Sequence, residues 1–255
     1  MAMLQIFPDQ SAIAEHVSGI LIDKIQSKPD VVLGLATGGT MEPIYERFVI
    51  KVRRQGVDVS KLTSFNLDEY VGLAPDHPKS YAAYMRKHLF GQLGFDESRL
   101  HLPNGLAPDL EQHSKDYALR LRQTGGVELQ LLGVGSNGHI GFNEPGTPFD
   151  SQCHVVRLSE DTRRDNSRFF EGNAIVPAHA VTLGMADIMQ AQEILLVATG
   201  EAKARIVAQW YHDEVTEAVP FTILKRHRRA RILLDEAAAS LLPDQARKTL
   251  AAMPA

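Results

Sequence analysis

Short apolar runs alternate with longer amphipathic stretches along nearly the whole chain, and that alternation is what most restricts its fold. Val31-Val32-Leu33-Gly34-Leu35-Ala36 is apolar without a break, the pattern of a strand covered on both faces. A helix follows over residues 41–54, with Ile44, Phe48 and Val52 at helical spacing and Pro43 in the first turn, where a missing N–H costs nothing. Residues 62–67 read as the next strand, 80–93 as a helix capped by Ser80, and 109–123 as another helix. Further strands are expected at 129–134, 193–198 and 231–235, and further helices at 160–170, 181–190 and 201–212. Parallel strands need crossover helices, so this order predicts an α/β fold, a mostly parallel sheet with helices on both faces. The first strand is expected near Val31, preceded by a short helix over residues 11–27. No linker-like or repeated segment breaks the pattern, so residues 1–255 are read as a single domain.

Composition narrows the functional classes. The net charge of −4 favours neither nucleic acid nor an anionic membrane. The basic run from Lys225 to Arg231 reads as a solvated turn into the last strand, with no nucleic-acid-binding motif beside it. No apolar run reaches the roughly 18 residues of a membrane span. The first ten residues carry Asp9 and no basic segment, unlike a secretory signal. Cys153 is the single cysteine, which rules out a disulfide within the chain and points to the cytoplasm.

In parallel sheets ligands bind beyond the carboxyl ends of the strands, and three of the expected strand ends here are unusual. After the strand at 31–36 comes Thr37-Gly38-Gly39-Thr40, at the start of a helix. Free N–H groups, hydroxyls and the positive end of the helix dipole suit a phosphate there, although neither a Walker lysine nor a dinucleotide glycine pattern is present. The strand at 62–67 runs into Asp68-Glu69-Tyr70. Neighbouring strand residues face opposite ways, so one of the two acids is expected to enter a site, as a general base. The strand at 129–134 runs into Gly133-Val134-Gly135-Ser136-Asn137-Gly138-His139-Ile140-Gly141-Phe142-Asn143-Glu144-Pro145. Such glycine density signals positive φ or close approach, and His139 is the side chain there that titrates near neutral pH. Asn137 can orient the imidazole but lends it no charge; Glu144 is the better candidate for raising its basicity. Lys203 falls in the first turn of a helix, where a cation is unfavourable unless an anion meets it. Arg164 and Arg168 lie four apart on one predicted helix face. His77, His88, His101, His154 and His179 have no metal-ligand spacing and are assigned no role, and no metal site is expected.

Together these segments resemble the glucosamine-6-phosphate deaminase family, within a wider group that includes 6-phosphogluconolactonases. The likeness rests on residues 33–40, 65–73, His77-Pro78-Lys79-Ser80-Tyr81, residues 138–145 and Asn166-Ser167-Arg168-Phe169-Phe170. It implies a modified Rossmann-like sheet and conversion of an amino-sugar 6-phosphate to a ketose 6-phosphate and ammonia, without cofactor. Matched by motif, Asp68 is the base that moves the proton between C2 and C1, His139 opens the sugar ring, and Glu144 supports it. Thr37, Gly38, Gly39, Thr40, Arg168 and Lys203 match the phosphate site. Many relatives have Asp where this chain has Asn137, which implies a lower pKa for His139 here. Allosterically regulated members carry basic residues where this chain has His154 and Val156, which implies weak or absent activation by N-acetylglucosamine 6-phosphate. Helices between residues 160 and 189 are expected to form a lid. The alternatives are a galactosamine-6-phosphate deaminase, a 6-phosphogluconolactonase, and a sugar-phosphate-binding regulatory domain. The last would need a DNA-binding segment, for which the expected start of the sheet near Val31 leaves no room. A monomer and a homo-oligomer fit the sequence equally.

Overall fold

The computed structural model describes residues 2–170 and 175–251. Ten strands occur among them: β1 Met3–Phe7, β2 Val32–Leu35, β3 Thr63–Asn66, β4 Asp68–Tyr70, β5 Leu100–His101, β6 Leu129–Leu132, β7 His154–Arg157, β8 His179–Thr182, β9 Glu193–Ala198 and β10 Ala230–Asp235. Seven form one sheet, in the order β1-β10-β9-β6-β2-β3-β5, with every neighbouring pair parallel. The helices are α1 Gln10–Ser27, α2 Glu42–Gln55, α3 Tyr81–His88, α4 Leu110–Gln123, α5 Glu160–Ser167, α6 Met185–Met189, α7 Ala204–His212 and α8 Asp244–Ala251. β2, β3, β6 and β9 are buried along their whole length, as strands covered on both faces are, and β3 and β6 bury the polar Thr63, Ser64, Asn66 and Gln130 as well.

Local chemistry sets the helix ends. Asp9, Ser80, Asp109 and Ser159 each accept a backbone N–H of the first turn of α1, α3, α4 and α5. Pro43 sits in the first turn of α2, and Gly56 closes that helix at φ 64°, a left-handed conformation that suits glycine.

Three expectations need correction. The sheet begins with β1, not near Val31. A five-residue edge strand with Gln5 at its centre carries little periodic signal, and its partner β10 lies at the far end of the chain. Residues 181–190 are not one helix. β-branched Val181 and Thr182 belong to β8, and the helix starts only at Met185. Gly184 is the extended N-cap of that helix, and glycine is required there because a Cβ would sit 2.2 Å from the Ser151 carbonyl oxygen. Finally, the residues after β3 leave the main sheet and build a second, antiparallel one, β4-β8-β7. Its β4–β8 pair joins Asp68 to Thr182, distant in the chain, which no local pattern announces.

Candidate active site

β2 and β6 are neighbours, and the chain departs from them in opposite directions: β3 and β5 lie beyond β2, while β9, β10 and β1 lie beyond β6. A crevice opens at such a switch point because successive crossovers diverge there. It is a cavity of 340 Å³. Thr37, Gly38, Gly39 and Thr40 line it from the end of β2, Asp68 from β4, and His139 from the loop after β6. Arg168, at the end of α5, and Lys203, just before α7, line it too. Asn137 and Glu144 stand behind His139 rather than on the cavity wall.

The loop of residues 37–40 depends on Gly38, whose φ of 105° disfavours any other residue. Its carbonyl accepts the Met41 N–H and the Tyr84 hydroxyl, both at 2.9 Å, which fixes the turn into α2. The loop has no cation of its own; Lys79, Lys87, Arg168 and Lys203 line the same cavity. Burial lowers the pKa of Lys203, the nearby Arg168 lowers it further, and Asp165 partly offsets this. A bound dianion would relieve that repulsion.

Asp68 and Glu69 diverge as strand geometry demands. Asp68 lines the cavity at 7% exposure. Burial first, and the charge of Glu69 second, push its carboxyl up to about 8, with no hydrogen bond to offset them. Glu69 turns away. Its Oε1 accepts the Tyr70 and Tyr81 N–H groups at 2.8 and 2.9 Å, and Oε2 accepts Ala82 N–H at 2.9 Å. The last two belong to the first turn of α3, so Glu69 anchors that helix to β4. The small sheet explains how Asp68 meets the histidine loop. Asp68 pairs with Thr182, whose Oγ1 accepts the Phe142 N–H at 3.1 Å. A Cβ on Gly141, which has φ 57°, would lie 3.0 Å from that Oγ1 and 3.6 Å from Asp68 Oδ2. The left-handed φ and the tight approach to Thr182 Oγ1 favour glycine where the loop passes the acid.

The histidine's tautomer follows from its neighbours. Glu144 Oε2 accepts Asn137 Nδ2 at 2.8 Å, so the amide oxygen of Asn137 faces the imidazole. That oxygen lies 2.7 Å from His139 Nδ1 and also accepts the His139 backbone N–H at 3.1 Å. An amide oxygen only accepts, so Nδ1 carries the proton and Nε2 keeps its lone pair. Glu144 itself is 3.9 Å from Nδ1. Its influence passes through Asn137 and through space, not through a direct hydrogen bond. Burial lowers the pKa of His139, and Glu144 works against that shift. Burial also pushes up Glu144, but hydrogen bonds from Thr162, Ser159 and Asn137, together with His139, bring it below its ordinary value. The imidazole is therefore neutral near pH 7, beside an ionised acid. Among the described residues, no group of three His, Cys, Asp or Glu side chains is arranged to hold a metal ion.

Sequence reading missed several lining residues. Tyr81 hydrogen-bonds Thr37, lies 3.3 Å from the Tyr70 hydroxyl and stacks on Phe142 at 12°. His88, given no role, lines the cavity and stacks on Tyr84 with ring centroids 4.5 Å apart. Asp165 and Asn166 line it from α5. The segments His77-Pro78-Lys79-Ser80-Tyr81 and Asn166-Ser167-Arg168-Phe169-Phe170 held the signals that could have found Tyr81 and Asn166; His88 and Asp165 come into contact only through folding. Arg164 does not join Arg168 in the site, because it pairs with Asp161 in solvent. Of the expected lid over 160–189, residues 171–174 lie outside the described residues. Among the others, Asp165, Asn166, Arg168, Phe169 and Phe170 line the cavity, whereas β8 is largely buried in a sheet and α6 is remote from the cavity lining.

Fold and site together define a Rossmann-like α/β protein with its ligand crevice at the sheet's switch point. Residues 10–233 match the family model for glucosamine-6-phosphate isomerases and 6-phosphogluconolactonases, and the chain belongs to that family. It is 49% identical over 243 residues to a glucosamine-6-phosphate deaminase of Rhodopirellula baltica, covering 95% of this chain and 97% of that one. It is 46% identical to another of Shouchella clausii, covering 91% and 94%. A solved monomeric glucosamine-6-phosphate deaminase superposes with a TM-score of 0.92 at 39% identity, covering 94% of this chain and 99% of that one. A 6-phosphogluconolactonase of Thermotoga maritima shares the fold at 18% identity and a TM-score of 0.73, covering 92% and 99%.

Proposed function

We propose that this protein converts glucosamine 6-phosphate to fructose 6-phosphate and ammonia, using acid–base groups of its own chain. One observation carries the reading: an anion cradle, a buried carboxyl and an imidazole with a free Nε2 converge on one cavity. The similarity of nearly the whole chain to proteins of that name supports it.

The phosphate binds residues 37–40, Arg168 and Lys203, and its binding energy positions the distant reacting carbons. His139 Nε2 accepts the proton of the anomeric hydroxyl and returns it to the ring oxygen, while the C1–O5 bond breaks and C1 becomes a carbonyl. Glu144, through Asn137, stabilises the imidazolium formed in between. Asp68 then takes the C2 proton; the released electron pair forms the C1–C2 double bond, and the C1 oxygen gains the proton that the C2 ammonium gives up, which completes the enolamine. Reprotonation at C1 leaves an iminium at C2; water adds there and ammonia departs. An Asp68 held at about 8 is protonated in the empty site. The substrate's C2 ammonium, placed beside it, draws the pKa down and ionises the base when it is needed. The chain works as one unit, in keeping with a core that runs from Leu4 to Leu242. Its single cysteine, free and buried, suits the reducing cytoplasm.

The test is ammonia release from glucosamine 6-phosphate and galactosamine 6-phosphate, alongside hydrolysis of 6-phosphogluconolactone. The expected result is ammonia from the first, lowered at least about a hundredfold in Asp68→Asn. Lactone hydrolysis without ammonia would overturn the reading.

A further inference from the structure

α5 is held at the cavity almost without apolar packing. Thr162 is its buried residue, and it is polar. The helix and its cap touch the site instead through hydrogen bonds. Ser159 N–H donates to Glu144 Oε1 at 3.0 Å, Thr162 Oγ1 lies 3.4 Å from His139 Nδ1, and Asn166 Nδ2 donates to the Tyr70 hydroxyl at 2.9 Å. A fourth contact joins Asp165 Oδ2 to the Ser136 hydroxyl at 2.5 Å, across 29 residues of chain. Residues 159, 162 and 165–166 recur at helical spacing, so one face of α5 makes all four.

The fourth contact stands out. Ser136 lies in the glycine loop, three residues before His139, and has no part in the proton chemistry. Asp165 is an acid in a cavity that collects cations, close enough to Lys203 and His139 to influence the charge of both. An acid there weakens phosphate binding by repulsion unless it does something else of value.

We propose that Asp165 is a positioning residue: its hydrogen bond to Ser136 ties the last turn of α5 to the glycine loop and so presets Arg168, three residues on, for the sugar phosphate. This deepens the sugar-phosphate reading of the site and rests on it. With so little apolar burial on α5, each polar tie carries a larger share of its placement. Arg168 is exposed, lies over the Phe169 ring and pairs with no acid among the described residues, so its place depends on the backbone that carries it.

The experiment compares Ser136→Ala, Asp165→Ala, Asp165→Asn and the Ser136→Ala/Asp165→Ala double variant with the unaltered full chain. Two quantities are read: KM and kcat for ammonia release from glucosamine 6-phosphate, and the Kd of inorganic phosphate by calorimetry. Each alanine variant should raise KM and the phosphate Kd about five- to tenfold, more than kcat falls. The double variant should be no worse than either single one, because both remove the same bond. Asp165→Asn keeps an acceptor oxygen for Ser136 and sheds the charge that repels phosphate, so its phosphate Kd should be no higher than that of the unaltered protein. Additive losses, unchanged constants, tighter phosphate binding by Asp165→Ala, or an Asn variant as weak as the Ala variant would each overturn the proposal. So would melting temperatures that fall in step with the affinities, the mark of general destabilisation. No ammonia from the unaltered protein would sink the deaminase reading instead, and the phosphate titration would still decide the tie.

Discussion

Replacing Asp68 by Asn should stabilise the protein while abolishing turnover. The carboxyl titrates at about 8 in the fold against an ordinary 3.8, because it is buried beside Glu69 without a hydrogen-bond donor. Near pH 7 the folded protein must therefore hold a proton that the unfolded chain has already released. One pH unit of such a difference is about 1.4 kcal/mol, so folding around this acid costs about 4 kcal/mol near neutrality. The cost is nil below about pH 4, grows through the interval and levels above about pH 8, because stability falls with pH where the folded state binds more protons. Asn has the same shape and no charge to desolvate, and it forfeits no hydrogen bond. For a chain of this length about 4 kcal/mol corresponds to about 8 °C in Tm. Thermal melts of both proteins at a series of pH values check this. The two curves should meet near pH 4 and separate steadily toward pH 8, with the Asn variant higher. A gap that stays constant with pH, or a variant no more stable at pH 8, would refute the argument that an uncompensated buried carboxyl is the cause. The same variant should retain phosphate binding, since the cradle of residues 37–40 is untouched. Stability stored against function in this way is common in active sites.

Gly135→Ala would put a Cβ 2.1 Å from His139 Cε1 and displace the ring; ammonia release should fall about a hundredfold or more, with unchanged far-UV circular dichroism. Glu144→Gln removes the acid that raises the pKa of His139. The imidazole should then titrate at lower pH, so the acid limb of kcat/KM moves down, as NMR titration of the ring would show. N-acetylglucosamine 6-phosphate should leave the velocity curve unchanged, since the family resemblance implies that His154 and Val156 take the place of the basic residues of activated members; a sigmoid curve turned hyperbolic would contradict this.

Much of the central sheet could be read in advance because β2, β6, β9 and β10 are short and mainly apolar, and because its crossover helices carry periodic faces and proper caps. Val31 to Ala36 announced β2 without ambiguity, and Pro43 announced α2. β1 and β5 were silent, since a few half-buried residues at a sheet edge look like any loop. β4, β7 and β8 were silent for a different reason: their pairing is antiparallel and long-range, and Val181-Thr182 leads straight into a helical pattern.

The chemistry-bearing residues were visible as types at strand ends: glycines and threonines after β2, two acids after β3, a histidine among glycines after β6. Sequence alone could say that adjacent acids must diverge, but not which one would face the ligand. The tertiary structure decided that, by sending Glu69 to cap α3 and burying Asp68 against Gly141. It also decided that Asn137, and not Glu144, touches the imidazole, and that Tyr81, His88 and Asp165 belong to the site. Local sequence sets backbone preference and hydrophobic period, which act within a few residues. Burial, proton affinity and side-chain contact depend on neighbours that only the folded chain brings together.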